Sequence, residues 1–156
     1  MKTRTIALTV VTCFVALTLS FAAENPMMGT WKLNEAKSKF SPGASKSVTV
    51  VYEADGDNTK CTIDGVDGKG KPYHNVWVGK LDGKDYPVTG DTETGNTRAI
   101  KKINDHKMEA SNKKDGKVTT SGSIVIAADG KTRTLNLTGT DSAGKKTSST
   151  AVYDKQ

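Results

Sequence analysis

The sequence predicts an all-β chain, an up-and-down antiparallel meander of about 8–10 strands closed into a β-barrel, with an antiparallel β-sandwich as the alternative. Three observations point there. Asp-Gly pairs punctuate the chain at 55–56, 64–65, 67–68, 82–83, 115–116 and 129–130. Asp-Gly suits type I′ hairpin turns, whose central residues both take positive φ. Between the pairs lie short segments rich in Val, Ile, Thr, Tyr and Trp that alternate with period two, as half-buried strands do. Helix signals are confined to Asn34–Phe40, where Asn34 can cap one turn before Ser41-Pro42-Gly43 ends it.

Residues 1–22 stand outside the domain. Lys2 and Arg4 precede an uncharged apolar run, Ile6 to Phe21, and the small residues Ala22-Ala23 follow. This is the pattern of a secretory leader cleaved after Ala22 or Ala23. The run is shorter than the roughly 20 residues a spanning helix needs. The chain is therefore expected to be exported, periplasmic or extracellular, with one domain over 23–156 and no membrane span. Removing the leader turns a net +6 into 21 basic against 17 acidic side chains. It also removes Cys13 and leaves Cys61 alone, so no internal disulfide can form.

Strands are expected near 28–34, 46–54, 59–65, 72–81, 84–88, 97–103, 107–113, 117–127, 131–140 and 146–154. Val48, Val50 and Tyr52 fall on one face, as do Tyr73, Asn75 and Trp77, and Val118 to Ile126 by twos. Tight turns make neighbours in sequence pair in space. A flat sheet of that many strands would leave two exposed edges, which closure removes. Only 20 of the 134 residues after position 22 are Leu, Ile, Val or Phe. That inventory suits a barrel with a partly polar lining better than a sandwich with two apolar faces.

Residues 25–34 read Asn-Pro-Met-Met-Gly-Thr-Trp-Lys-Leu-Asn. The Gly29-x-Trp31 element resembles the opening of lipocalins and fatty-acid-binding proteins, the calycin group. Lys37 to Gly43 also resembles small exported bacterial proteins of uncharacterised function. The calycin resemblance implies a lipocalin-like barrel in which Gly29 and Trp31 close one end, Trp31 packing against a basic side chain near the last strand. Lys155 is the nearest basic residue there, and Arg133 lies earlier. Fatty-acid-binding proteins carry two helices between their first strands, whereas 34–46 leaves room for one short helix. Their paired basic residues match no motif in this chain.

The chemistry-bearing residues are few. There is no Gly-x-Ser-x-Gly elbow, His-Glu-x-x-His helix or phosphate-cradling loop. Most Asp residues are committed to turns, which removes paired carboxylates. Cys61, His74 and His106 match no metal-ligand spacing. No catalytic residue, metal or cofactor is expected, and the chain reads as a non-enzyme. The lysine pairs at 101–102, 113–114 and 145–146 are interleaved with acids, unlike a nucleic-acid face. The Asn136-Leu137-Thr138 pattern reads as ordinary strand sequence. A small apolar or amphipathic ligand in the barrel interior is the expected partner, with Trp77 and Tyr73 as its wall and Tyr52 and Tyr86 as hydrogen-bonding groups. The alternative is an envelope or extracellular scaffold with a filled barrel.

Overall fold

Each expected strand forms and pairs antiparallel with its neighbour in sequence. A computed structural model describes residues 25–92, 94–140 and 144–156. The expected leader and most of the turn at 141–144 lie outside the described residues. The elements are β1 (Gly29–Leu33), a single 3-10 turn (Glu35–Lys37), β2 (Lys39–Phe40), β3 (Lys46–Asp55), β4 (Asn58–Val66), β5 (Pro72–Gly79), β6 (Tyr86–Gly90), β7 (Thr97–Asn104), β8 (Lys107–Lys114), β9 (Lys117–Ile126), β10 (Thr132–Thr140) and β11 (Lys146–Lys155). The order β1-β3-β4-β5-β6-β7-β8-β9-β10-β11 closes through a β1–β11 pairing, and β2 adds to β11 beside that seam. The fold is therefore a closed antiparallel barrel, as the hairpin spacing predicts, and not a sandwich.

Local detail follows the sequence with a few corrections. Asn34 caps the 3-10 turn by accepting from the Lys37 amide, but the turn ends at Lys37 and the next residues become β2. Among the described residues Asp115 is the one non-glycine with positive φ, with Gly116 beside it, so of the Asp-Gly pairs only the two-residue β8–β9 loop has the backbone signs of a I′ turn. Asp64-Gly65 is no turn. It lies within β4, where Gly65 lets the Tyr73 ring and the Lys46 carbonyl approach. Val48 does not share the face of Val50 and Tyr52. A register shift between Ser47 and Thr49 turns it outward to 36% exposure, while Val50 and Tyr52 are buried. One extra residue at a bulge reverses the inside–outside alternation beyond it.

The core is aromatic and polar as much as aliphatic. Trp31, Trp77, Tyr52, Tyr153, Met27, Met108, Ile100, Ile124, Ile126 and Cys61 are buried, together with Arg98, Arg133, Asn75 and Thr59. Trp31 of β1 is fully buried. Its indole Nε1 donates to the Met27 carbonyl at 2.8 Å, which folds residues 25–28 under the barrel. Gly29 sits at φ 102, and a side chain there would press on the Lys155 stem. Backbone conformation and close approach together favour glycine at position 29. Gly122 serves the wall differently: a Cβ there would collide with the Asn136 carbonyl on β10.

Trp31→Ala removes a fully buried indole and is expected to cost about 3–5 kcal/mol, the usual range for large aromatic truncations in cores. Urea unfolding followed by far-UV circular dichroism measures it, and an unchanged midpoint would contradict that burial.

Candidate functional site

The inner face is set by strand alternation, and two arginines share it. Arg98 is in phase with Ile100 on β7, and Arg133 is in phase with Leu135 on β10. Their exposures are 7% and 2%. Neither forms an ion pair among the described residues; the ion pairs present there involve other side chains.

Arg133 lies among three rings. Its guanidinium carbon is 4.4 Å from the Tyr153 ring centre, 5.2 Å from Trp31 and 5.3 Å from Tyr52. Its Nε is buried with no hydrogen-bond partner in the described protein. Aromatic faces carry the negative end of the ring quadrupole, so they stabilise the cation where no carboxylate does. Lys155 Nζ approaches the Trp31 ring at 5.4 Å and donates to the Pro26 carbonyl. Two basic side chains thus lie against the Trp31 ring, Arg133 on the penultimate strand and Lys155 on the last.

Arg98 faces neutral acceptors. Its Nε donates to Asn112 Oδ1 at 2.8 Å and its Nη2 to Asn75 Oδ1 at 3.3 Å, while Nη1 stands 3.9 Å from Cys61 Sγ. A guanidinium carries five N–H donors, so these three contacts leave N–H groups over. Asn112 in turn donates to Thr120 Oγ1. The buried acids nearby supply no negative charge. Burial pushes the Tyr52 phenol and the Cys61 thiol up, and the two arginines offset this only in part. Burial likewise pushes the Tyr153 phenol up to about 12.

The four residues expected to line a ligand pocket divide between two places. Tyr52, Cys61 and Trp77 form one cross-strand row. Trp77 is fully buried and donates from Nε1 to the Arg98 carbonyl at 2.8 Å. Tyr86 meets Trp77 edge-on, with ring centres 6.0 Å apart and planes at 89°. The Tyr86 hydroxyl, expected to serve a ligand, donates instead to Asp82 at the surface. Tyr73 stands nearer the other end, its hydroxyl 2.9 Å from Ser47 Oγ. It borders a crevice of about 20 Å³, room for about one water. Asn75, Arg98, Arg133 and Asn112 were not among the expected site residues. Period-two phasing with Ile100 and Leu135 is the signal that marks both arginines as inward.

Elsewhere, His74 Nδ1 lies 2.7 Å from Asp64 on the exposed face, and His106 Nδ1 lies 3.2 Å from the Ile126 carbonyl. Among the described residues no three His, Cys, Asp or Glu side chains converge as metal ligands. No helix there is long and apolar enough to cross a membrane.

No protein-family model and no curated protein matches the chain. Solved structures do. EF1p2_mFAP2b bound to DFHBI aligns with a TM-score of 0.50 at 9% identity, over 84% of this chain and 94% of its own. A redesigned β-barrel, mFAP1, bound to DFHBI aligns at 0.46 and 13% identity, over 83% and 95%. The chain shares the barrel fold of the first. At that identity the likeness concerns fold alone.

The tyrosines make alkaline stability a test of this packing. In the unfolded chain phenols ionise near pH ~10, whereas folded Tyr153 holds its proton up to about 12 and Tyr52 is raised too. The folded-state values are raised, so the stability they contribute is whole below pH ~10 and is lost as pH rises through the folded values. Phenolate absorbance should rise in two phases, the later coinciding with loss of β-sheet circular dichroism. Ionisation of all four tyrosines near pH ~10 with the sheet intact would contradict the buried cluster.

Proposed function

We propose that the chain is an exported, non-enzymatic binding protein that works in the lipocalin manner. It holds a small amphipathic molecule in the barrel interior, with the molecule's acidic group against Arg98. One observation carries this reading: two guanidiniums are buried in the barrel with no carboxylate beside either among the described residues. A buried charge without a counter-charge is costly. The raised Tyr52 and Cys61 acids do not supply one. A ligand carboxylate or sulfonate would.

Arg98 is the better contact. The Arg133 faces are taken by aromatic rings, whereas Arg98 keeps N–H groups over and stands among Asn75, Asn112 and Cys61. The half-buried Ala110, Gly122 and Leu137 form a cross-strand row beside it, in phase with buried Met108 and Ile124. The structure of EF1p2_mFAP2b is of a complex with DFHBI, which supports reading a barrel of this fold as a small-molecule binder. The scaffold alternative draws on the complete burial of Trp31 and Trp77.

Two dyes separate these readings. Trp77 emission, read in a Trp31→Phe background, should respond to the anionic dye 8-anilinonaphthalene-1-sulfonate. Arg98→Gln should weaken that response about tenfold or more, as expected for one hydrogen bond to a charged group of ~1.5–3 kcal/mol, and leave the uncharged N-phenyl-1-naphthylamine unaffected. If neither dye perturbs Trp77 up to its solubility limit, the scaffold reading replaces this one. Export is tested separately. Intact mass of secreted protein should place the new N-terminus after Ala22 or Ala23, and a chain retaining Met1 in the membrane fraction would refute export.

A further inference from the structure

We propose a second binding site, on the outer wall of the barrel, whose ligand is an anionic polysaccharide. Two register rows cross the wall from β7 to β2. One runs Lys101, Glu109, Ser123, Asn136, Thr150, Lys39. The row beside it carries Ser111, Ser121, Thr138 and Ser148. These residues alternate along their strands with buried Ile100, Met108, Ile124 and Ala151, so their side chains face outward. They line a trough of about 950 Å³. A hollow of about 560 Å³ continues it and shares Ser41, Ser121, Thr138 and Ser148. Six strands give five spacings of ~4.8 Å, so the long row spans about 24 Å. An open trough of that length fits an extended chain better than a compact ligand.

The lining chemistry selects the chain. Ser and Thr hydroxyls both donate and accept, matching sugar hydroxyls; Thr138 and Thr150 already donate, to the Ser121 carbonyl and Asn136 Oδ1, and keep their acceptor side for a ligand. Lys39 and Lys101 mark the two ends and Lys107 stands nearby. None of the three forms an ion pair among the described residues. Between the ends the row is neutral except for Glu109. A continuous phosphate backbone would meet that carboxylate, whereas a polymer with spaced charges places carboxylates or sulfates at the lysines and hydroxyls between. Phe40 is the one aromatic residue bordering the trough, and it is half-buried against the core, so bases would find no stacking platform along the rows. Among the apolar residues bordering the trough and hollow, Phe40 and Leu137 are half-buried and Val118 alone is largely exposed, less than the apolar face of a membrane-inserting surface.

Calorimetric titration of the full chain with alginate oligomers, heparin oligosaccharides, dextran and single-stranded DNA tests this. Binding of alginate or heparin, weakening with salt and not matched by dextran or DNA, supports it; which of the two binds distinguishes carboxylate from sulfate as the recognised group. The double variant Lys39→Glu/Lys101→Glu should lose at least tenfold in affinity with an unchanged far-UV spectrum. The proposal is overturned if neither polysaccharide binds, if DNA binds as tightly, or if the variant binds like the parent. It is also overturned if the trough instead joins two copies of the chain, seen as concentration-dependent sedimentation that the variant abolishes without any polysaccharide binding. The anionic-dye response of Trp77 should be the same in parent and variant, so failure here and failure of the interior site are read independently.

Discussion

The barrel closes through one short seam, and a buried cation holds it. β1 and β11 pair over only three register positions, Trp31 with Lys155, Lys32 with Asp154 and Leu33 with Tyr153. The Arg133 guanidinium lies against Trp31 of β1, Tyr52 of β3 and Tyr153 of β11, while Arg133 itself belongs to β10. One side chain therefore ties together the strands that flank the closure. Desolvated cation–π contacts are worth about 2 kcal/mol or more each, which exceeds the usual net value of a neutral hydrogen bond, ~0.5–1.5 kcal/mol. The Tyr153 hydroxyl extends the tie by donating to the Ser47 carbonyl on β3.

The same cluster explains how a chain lean in aliphatics builds a core. Two indoles, two phenols, two methionines and two guanidiniums occupy volume that Leu and Val fill in richer sequences. Aromatic rings bury large areas each, so few residues suffice. The polar part of that core is divided. Arg133 is enclosed by rings, whereas Arg98 is held by amide oxygens of Asn75 and Asn112. The enclosed cation acts on closure, and the amide-held one keeps N–H donors beyond its three contacts.

Most of the fold was legible because it is local. Period-two alternation and turn residues located the strands, and antiparallel neighbours followed from short loops. What escaped depends on registers and bulges. Val48 reads as inward until the bulge beside it reverses the parity. Asp64-Gly65 resembles a turn, but Gly65 serves a close approach inside β4. β2 is two residues long and exists only because β11 extends past β1. The candidate site was half visible: Tyr52 and Trp77 do face inward, while Tyr86 spends its hydroxyl on Asp82. Arg98 and Arg133 were in phase with apolar neighbours, yet a lone arginine in a strand ordinarily belongs to the solvent face. Only the rings and amides brought from other strands make an interior place for them.

Cys61 is fully buried midway between Tyr52 and Trp77 in the row that crosses β3, β4 and β5. It is the single thiol among the described residues. A labelling reagent can reach it only when the wall parts, because burial both hides the sulfur and keeps it protonated. The chain thus carries an internal clock of its own breathing. The pace at which that thiol is consumed under native conditions reports how often the barrel opens, with no probe added to the interior and no change to the seam that shuts it.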